Sequence, residues 1–462
     1  MSDATASEYG TSDISRQKRI PPPPALIVLS PRGWLTSFAR AWILNVLQDA
    51  VKVGSIVIEE REMRHTFGRA TNGQNSVRIT VVDEDFWTRV LLSGNLGFSE
   101  AFMMGEVQVD DLQAVIELFI DNLSSLSNIS WLYNKTIAAV SGLWNAFAGQ
   151  THTRARLNVV ASYDLSNEMY KAFLSKEMMY SCALWGEEEG GVRGDLGSGP
   201  TTGDLEAAQR RKIQHVLRQL HLQPGHRLLE FGTGWGALSI EAAREYGCEV
   251  DTLTLSIEQK TLAEERIREA GLEDRVRVHL LDYRDIPPHF EHAFDAFVSI
   301  EMIEHVGPKY YGAYFRLVDF ALKKRGAIAV VSSSTFPEHR YSEYQAEDFM
   351  RRYIWPNSAL PSASALVDAA YKATRGRFKL NTIENHSAHY PRTLRTWGRR
   401  FKSNVQQDAV AETHPSLRDP MEFAVFARKW EYLFAYAGAG FVKGYISCHM
   451  LTFTREGDAP DL

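Results

Sequence analysis

The length, charge and cysteine content of the chain exclude several classes of protein. At 462 residues it exceeds the usual size of one hydrophobic core, so a large domain and a smaller one are expected. Its formal net charge of -6 argues against a nucleic-acid-binding protein, which normally carries a basic excess. The cysteines, Cys182, Cys248 and Cys448, form no C-x-x-C pair, so neither a disulfide framework nor a thiolate zinc site is indicated.

The first 160 residues predict a tail, a small module and an apolar linker. Residues 1–33 include four consecutive prolines and lack an apolar signal-peptide segment, which is typical of a disordered tail. Residues 34–125 mix amphipathic helices with alternating strands such as SVRITVVD, which predicts a compact α+β module. The linker, 126–160, contains ISWLYNKTIAAVSGLWNAFAG, which is either a buried or interdomain helix or a helix lying in a membrane interface.

Residues 161–456 predict a Rossmann-like α/β domain. The apolar stretches HRLLEFG, CEVDTLTL, RVRVHLLD, AFDAFVSI and AIAVVSSS alternate with amphipathic helical segments, a pattern typical of a doubly wound, mostly parallel sheet. The segment GEEEGGVRGDLGSGPTTGD, residues 186–204, interrupts this domain. It is rich in glycine, net acidic and without apolar periodicity, so we predict a mobile surface loop that could gate access to a site.

A glycine-rich turn follows the first strand of this domain. In LLEFGTGWGALSIE, residues 228–241, Gly232, Gly234 and Gly236 lie between a strand and a helix, where bare backbone can approach a ligand. Helix N-termini also favour polar or anionic groups. One such motif is weak evidence, because similar turns bind NAD or only pack a strand on a helix.

The next two strands add polar groups at the same predicted edge of the sheet. The second strand is predicted to end near Asp251, where an acidic group can meet a ribose hydroxyl. The third supplies Asp282, which can accept from an adenine amino group, and Tyr283, whose ring can stack on the base. Together they favour an adenosine ligand. S-adenosylmethionine fits best, because Tyr, Trp and Glu can surround its sulfonium without phosphate-binding basic residues.

Six ordered blocks of the sequence form a recognisable set. They are SYDLSNEMYKAFLSKEMMYSCALW at 162–185, LLEFGTGWGALSIEAAREYG at 228–247, LTLSIEQ at 253–259, EMIEHVG at 301–307, RRYIWPNSALPS at 351–362 and HYPRTLRTW at 389–397. These blocks resemble the cyclopropane-fatty-acyl-phospholipid synthases, a family of S-adenosylmethionine-dependent lipid methyltransferases. A seventh block, GFSEAFMMGEVQVDDL at 97–112, resembles the end of that family's N-terminal domain.

The resemblance implies a set of residues around the cofactor. It places Tyr180 and Ser181 on the cofactor beside Gly232 and Gly234, adds Thr254, and places Gln259 on the ribose and Tyr283 beside the adenine. For Gln259 the alternative is a solvent-facing helix residue, and for Tyr180 it is a packed aromatic. A side chain at Thr252, where the family tends to have glycine, could shift the ribose pocket.

In this family a lipid double bond attacks the cofactor's methyl group, and the resulting carbocation must lose a proton. The resemblance implies that bicarbonate acts as the base, held by a Cys, a Glu, a His and a Tyr. Cys182, Glu304 and Tyr390 stand at three of those places, but Ser332 or a neighbour replaces the histidine. Serine is a poorer charge partner for an anion. The alternatives are that Cys182 is a small buried hydrophobe and that Glu304 only caps a turn.

Two consequences of the missing histidine stay open. Either bicarbonate is held with altered geometry, assisted by His305 or His339, or deprotonation differs and the product is a methyl-branched or methylene lipid. His305, His339, His386 and His389 show no ligand spacing, so no metal is predicted.

The predicted substrate is an unsaturated phospholipid or fatty acyl chain. Aromatic residues between Phe336 and Trp397 could line an acyl slot. The N-terminal module weakly resembles a sterol-carrier-like domain that could contact membrane or form a homodimer. We therefore predict a cytoplasmic enzyme, peripheral to membrane. The alternatives are a methyltransferase acting on a soluble small molecule and an inactive lipid-binding homologue.

Overall fold

The computed structural model describes residues 31–69, 76–126 and 166–455. Its first unit is the predicted α+β module, in which four strands form one sheet in the order β2-β1-β3-β4. Strand β1 pairs parallel to β3 and antiparallel to β2, and β4 pairs antiparallel to β3. The elements are α1 (Pro31–Ala50), β1 (Gly54–Glu60), β2 (Met63–Arg69), β3 (Ser76–Val81), α2 (Asp85–Met104), β4 (Val107–Val109) and α3 (Leu112–Asp121).

Periodicity explains why these segments form a module. Along α1, the buried residues Leu35, Ala39, Ile43 and Leu47 recur every four positions, so one face of the helix covers the core. Strand β3 alternates exposed and buried side chains, as expected for a sheet with one covered face. Helix α2 is broken at Gly94, whose φ of 55° and ψ of -125° are not helical. The tail was predicted to extend to residue 33, but α1 begins at Pro31.

The second unit is built on a seven-stranded sheet of order β10-β11-β9-β8-β5-β6-β7, in which the last five strands are parallel and β11 is antiparallel to both neighbours. This confirms the Rossmann-like prediction. The elements are α4 (Asn167–Phe173), α5 (Gly194–Gly197), α6 (Asp204–Gln219), β5 (Arg227–Phe231), α7 (Ala237–Tyr246), β6 (Glu249–Thr254), α8 (Ile257–Glu269), β7 (Val276–Leu280), β8 (Ala296–Ile300), α9 (Tyr311–Ala321), β9 (Ile328–Thr335), α10 (Ala363–Thr374), β10 (Phe378–Asn385), α11 (Tyr390–Asn404), α12 (Gln407–Thr413), α13 (Pro420–Val442) and β11 (Ser447–Arg455).

Helices cover both faces of the large sheet. Consecutive residues of a strand point to opposite faces, and Leu228 and Leu229 of β5 accordingly belong to different apolar clusters. Leu229 packs in the cluster that contains α9 and α10, whereas Leu228 packs in the cluster that contains α6, α7 and α8. Strands covered on both sides favour apolar residues on both faces, as in β8, where four of the five residues are buried.

Helix α13 joins the two units. Tyr432 on α13 packs against Phe98 and Phe102 on α2, with ring centroids 6.5 Å and 5.9 Å apart. Tyr353 also donates a hydrogen bond to Glu100 Oε1 at 2.8 Å. Across the described ranges, no helix combines the length and apolarity needed to cross a membrane. The predicted linker helix at 129–149 and most of the predicted tail lie outside those ranges.

The segment 186–204 lies mostly at the surface, as predicted, but it includes short helical turns and a buried anchor. It contains two 3-10 turns and the helical turn α5, and the Asp195 side chain is fully buried. Arg395 and Arg399 on α11 bind the Asp195 carboxylate at 2.8 Å and 2.9 Å. Burial alone would raise the pKa of Asp195, but these two guanidinium groups lower it overall. The anchoring cations come from a helix about 200 residues away, so no local pattern revealed them.

Candidate active site

The glycine turn leaves open space beside its backbone. Gly232 and Gly234 have φ of 97° and 52°, in the left-handed region that side chains disfavour. The N–H groups of Gly232 and Thr233 donate to the Leu253 carbonyl at 3.1 Å and 2.9 Å, which ties the turn to β6. A Cβ atom built at Gly234 would meet no atom within 4 Å. The turn can therefore bring main-chain atoms against a ligand, as predicted.

Buried side chains next to the glycine turn form a hydrogen-bond network that supports it. Glu230 accepts hydrogen bonds from Ser239 at 2.5 Å and from Thr252 at 2.7 Å, and burial raises the pKa of Glu230 to about 7. Thr252 also lies 2.8 Å from the hydroxyl of Thr233. The Thr252 hydroxyl therefore contacts the residues that support the glycine turn. We expected that this side chain could shift the ribose pocket, but it points toward Glu230 and Thr233 instead.

Asp251 was wrongly placed at a strand end. Strand β6 continues to Thr254, and the Asp251 carboxylate binds Arg227 at 2.8 Å and His279 at 2.9 Å within the sheet. The residues at the true strand end are Thr254 and, in the first turn of α8, Gln259. The Thr254 hydroxyl donates to Gln259 Oε1 at 2.8 Å, and Gln259 lines the main cavity. Gln259 is therefore not the solvent-facing residue of the alternative reading.

The third strand end carries Asp282 and Tyr283 as predicted. The Tyr283 ring lies 5.6 Å from that of Phe231, the residue immediately before the glycine turn. The Asp282 carboxylate accepts from the Arg284 backbone N–H at 2.9 Å and pairs with its guanidinium at 2.5 Å. This pairing lowers the pKa of Asp282. The carboxylate is therefore charged, but its contacts in this structure are with Arg284.

Tyr180 and Ser181 come from the segment that follows α4. The Tyr180 ring is 5.3 Å from that of Trp397 and 6.1 Å from that of Trp355, and it lines the cavity, so it is both packed and accessible. Ser181 Oγ accepts a hydrogen bond from Lys212 Nζ at 2.7 Å. Burial lowers the pKa of Lys212 to about 8. Sequence reasoning missed Lys212, because it lies on the otherwise ordinary amphipathic helix α6.

The predicted anion-holding residues surround a carboxylate of the chain itself. The Cys182 N–H donates to Glu301 Oε1 at 2.9 Å, and the Tyr390 hydroxyl donates to Glu301 Oε2 at 2.5 Å. The Cys182 side chain is buried, as in the alternative reading, and its backbone makes this contact. Sequence reasoning missed Glu301. The only available signal was a second carboxylate three residues before Glu304 in EMIEHVG.

Glu304 is a buried carboxyl that lines the cavity. Its Oε1 atom accepts from the Ser334 N–H on β9 at 2.6 Å, so it does not simply cap its own turn. Its Oε2 atom is also buried. Burial and then the nearby Glu301 raise the pKa of Glu304 to about 8. Glu304 is therefore mostly neutral at pH 7.

The three residues considered as substitutes for the family histidine do not lie together in the structure. Ser332 is buried in β9, where its carbonyl accepts from the Glu301 N–H at 2.9 Å. His305 lines the cavity, and burial lowers its pKa, so it is a neutral imidazole. His339 is exposed and does not line the cavity, which contradicts its suggested role.

A cavity of about 700 Å³ extends from this carboxyl cluster into the N-terminal module. The predicted acyl slot between Phe336 and Trp397 forms only part of its wall, because α13 and the module supply most of the rest. The glycines do not line it, but its wall residue Tyr170 packs on Trp235 of the turn at 4.9 Å. Residues that line its two ends include Tyr180, Gln259, Glu301, Glu304, Trp355 and Tyr390 at one end and Trp42, Val46, Val90, Gly94, Phe98 and Ile116 at the other.

One cluster of metal-ligand types was not expected from the spacing of the histidines. His215, Glu384 and His386 place their donor atoms within 4.8 Å of one another. Both imidazoles bond the same oxygen, Glu384 Oε2, at 2.5 Å and 3.0 Å. The three side chains therefore form hydrogen bonds with one another, and we assign no metal ion to them.

Comparisons with known proteins agree with this geometry. Residues 150–451 match the sequence model of the family described as mycolic acid cyclopropane synthetase. Tuberculostearic acid methyltransferase of Mycobacterium tuberculosis is 34% identical over 374 residues, which cover 80% of this chain and 81% of that protein. Cyclopropane-fatty-acyl-phospholipid synthase of Escherichia coli is 32% identical over 342 residues, which cover 74% of this chain and 80% of that protein.

A solved structure is also similar. It is a mycolic acid cyclopropane synthase complexed with SAH and CTAB, which is 25% identical, with a TM-score of 0.50, over 66% of this chain and 99% of that chain. The resemblance stated from the sequence is therefore confirmed. The chain belongs to the mycolic acid cyclopropane synthetase family and is an S-adenosylmethionine-dependent methyltransferase.

Proposed function

We propose that the protein transfers the methyl group of S-adenosylmethionine to a double bond of an unsaturated fatty acyl chain, in a phospholipid, to give a cyclopropane or methyl-branched chain. The observation that carries this proposal is the cavity of about 700 Å³. Its apolar end lies in the N-terminal module, and its other end holds Glu301, Glu304 and aromatic rings beside the predicted donor site. Such a shape suits a long apolar chain with one reactive position.

The residues at the reactive end have distinct proposed roles. Gly232, Gly234 and Gly236 would bring main chain against the donor, with Thr254 and Gln259 at its ribose. Asp282 and Tyr283 would lie at the adenine, and Tyr180 and Ser181 would close the other side. When bound, the donor supplies the methyl group on a sulfonium. Because an alkene is a weak nucleophile, the chain must align the reactants and exclude water that would trap the cation.

Aromatic rings and carboxyl groups near the double bond favour a cationic intermediate. The rings of Tyr180, Trp355 and Trp397 pack together at the reactive end. Glu304 lines the same space and has a raised pKa, which makes it an electrostatic or positioning group. Tyr390 and Cys182 act on the reaction through the carboxylate that they hold.

Bicarbonate is the second cofactor implied by the resemblance, and the residues at its expected place do not fit it. Two of the groups that would hold it, the Cys182 N–H and the Tyr390 hydroxyl, bond the Glu301 carboxylate. The position of the family histidine is serine. A bicarbonate ion there would also bring a second negative charge next to Glu301 in a buried site, which costs free energy. No step is therefore assigned to bicarbonate.

Peripheral membrane contact is supported by the exposed face of α1. Trp34 and Phe38 are 61% and 43% exposed, their rings stack at 5.8 Å, and Trp42 one turn further lines the cavity. This aromatic stripe could connect a bilayer surface with the cavity. A cytoplasmic location fits methyl transfer to a lipid acceptor at the inner membrane surface. A homodimer stays a prediction, which sedimentation analysis of the purified protein would test.

The proposed function is tested with methyl-labelled S-adenosylmethionine and vesicles of dioleoyl phosphatidylglycerol. We expect label in the lipid, loss of one double bond and a mass gain of one methylene for a cyclopropane; fragmentation distinguishes a methyl branch. Matched dipalmitoyl vesicles, which lack a double bond, should take no label. Label on soluble acceptors alone would favour the small-molecule alternative, and donor binding without any transfer would favour an inactive homologue.

A cavity-narrowing variant tests the acyl path. Val90 lies on α2 at the apolar end of the cavity, among the N-terminal-module residues that line it. Val90→Trp should lower transfer to dioleoyl lipid and leave the affinity for S-adenosylhomocysteine unchanged. Equal losses of both would show that the variant disturbs the whole fold. Unchanged transfer would show that the acyl chain does not enter the module.

A further inference from the structure

The Glu301 carboxylate lies where an external base would be held. Its two oxygens accept from the Cys182 N–H at 2.9 Å and from the Tyr390 hydroxyl at 2.5 Å. Cys182 and Tyr390 are the residues that the family resemblance assigns to holding the base. The side chain also lines the cavity in which the acyl chain is proposed to lie. The Glu301 carboxylate of the protein therefore occupies the position where the family resemblance places bicarbonate.

The backbone of Glu301 is unusual for a residue with a side chain. Its φ of 49° lies in the left-handed region, which a glycine would adopt without strain. Such conformations persist where the surroundings determine them, and they cluster at active sites. Here the Glu301 N–H donates to the Ser332 carbonyl at 2.9 Å, and the side chain is held at both oxygens. A carboxylate is thus kept at a position where the backbone favours glycine.

The charges around Glu301 suit a base that must be ionised before it reacts. Burial raises the pKa of Glu301, while the Tyr390 and Cys182 hydrogen bonds and the buried Lys212 cation oppose this. The neighbouring Glu304 has a pKa of about 8, so it is mostly neutral at pH 7 and adds little repulsion. Both Glu301 oxygens accept hydrogen bonds, which is the pattern of an ionised carboxylate. A base needs a pKa near the working pH, and this environment moves Glu301 in that direction.

We infer that Glu301 is the general base of the methyl transfer and takes the place of bicarbonate. This inference rests on the proposed function. The donor's C–S bond breaks and its electron pair stays on sulfur, while the π pair of the double bond forms the new C–C bond to the methyl carbon. Glu301 then takes one proton from the cation. If the proton leaves the former methyl group, the C–H electron pair closes the three-membered ring; if it leaves a chain carbon, the pair forms a new double bond.

Bicarbonate depletion tests the inference on the unaltered protein. Transfer to dioleoyl phosphatidylglycerol vesicles is measured in buffer stripped of carbon dioxide and in the same buffer with added bicarbonate. We expect equal rates, and calorimetry should detect no bicarbonate binding to the wild-type protein. A rate that falls on stripping and returns with bicarbonate overturns the inference. So does bicarbonate binding by the wild type, a readout that does not depend on turnover.

Two substitutions at Glu301 complete the test. Glu301→Gln keeps the size of the side chain but cannot take the proton, so turnover should fall by about 100-fold or more with S-adenosylhomocysteine affinity unchanged. Glu301→Gly should relax the backbone and open the anion place, so this variant should bind bicarbonate and gain activity from it. The matched control is Glu343→Gln, which removes an exposed carboxylate and should behave as wild type.

The possible results separate this inference from the proposed function. Glu301→Gln that binds S-adenosylhomocysteine and turns over at the wild-type rate overturns the role of Glu301 alone. Wild-type protein that transfers no methyl group to any unsaturated lipid contradicts the proposed function instead. In that case the bicarbonate-binding comparison between wild type and Glu301→Gly still decides whether Glu301 occupies the anion place.

Discussion

Replacing Gly234 with alanine separates donor binding from folding. Gly234 has a φ of 52°, and a Cβ atom there would meet no protein atom within 4 Å. The substitution therefore has no steric cost within the protein. Its conformational cost is roughly 1–2 kcal/mol, the penalty for a side chain in the left-handed region. The added methyl group enters the open space beside the turn, where the donor is proposed to approach the backbone.

Gly271→Ala is a matched control for this effect. Gly271 follows α8 with a φ of 66°, and a Cβ atom there would also meet nothing within 4 Å. Both variants should lose roughly 1–2 kcal/mol in the free energy of unfolding, measured with urea. Only Gly234→Ala should lose S-adenosylhomocysteine affinity, by more than about tenfold, or about 1.4 kcal/mol, in calorimetric titrations.

Two results would refute this reasoning. If Gly234→Ala binds S-adenosylhomocysteine as tightly as Gly271→Ala does, the ligand does not approach the turn closely and the cofactor assignment fails there. If both variants lose affinity equally, the loss comes from general destabilisation. Saturating ligand also stabilises the folded state, so the melting temperature of Gly234→Ala should rise less with ligand than that of the control.

Three further predictions concern buried polar groups. Asp195→Asn weakens the hydrogen bonds that Arg395 and Arg399 make to the buried carboxylate and should lower the free energy of unfolding by about 1.5–3 kcal/mol in urea titrations. Glu304 has a folded-state pKa of about 8 against an ordinary 4.5, so the folded state holds the proton more tightly and stability falls as pH rises between these values. Glu304→Gln should remove that slope, which is at most about 1.4 kcal/mol per pH unit in unfolding measured at several pH values. Tyr390→Phe removes a hydrogen bond to Glu301 worth about 1.5–3 kcal/mol, so lipid turnover should fall roughly 10- to 100-fold while S-adenosylhomocysteine affinity stays unchanged.

Each of these has a control and a contrary outcome. Asp368→Asn breaks an exposed ion pair with Lys372 and should cost less than about 1 kcal/mol; a similar loss in Asp195→Asn would show that the buried cluster adds no stability. A pH slope that persists in Glu304→Gln would assign it to another group, such as Glu230, whose pKa is about 7. Equal losses of turnover and ligand affinity in Tyr390→Phe would contradict a role confined to the reaction.

Local patterns in the sequence were sufficient to predict the architecture and the part of the site formed by the glycine turn and Tyr283. Short, mostly apolar segments alternating with amphipathic helices predicted β5 to β9, because strands between two helical layers favour apolar side chains. The glycine turn was also predictable, because left-handed backbone next to a ligand selects glycine. Tyr283 followed from its position at the end of a parallel strand. These inferences need only the residues within one strand, turn or helix.

Contacts between distant segments decided the rest. The role proposed for Glu301 depends on its contacts with Cys182 and Tyr390, each more than 80 residues away in the chain. Likewise, Arg395 and Arg399 anchor the segment 186–204, which by composition resembled a loop. The cavity extends into the N-terminal module, and the sequence of that module did not indicate that it lines a cavity. The sequence by itself determined which segments become strands, helices and the donor turn, since these depend on local backbone preference and periodic burial. Only the tertiary structure decided which carboxylate lies in the anion place and where the acyl chain can run, because both depend on packing between elements far apart in the chain.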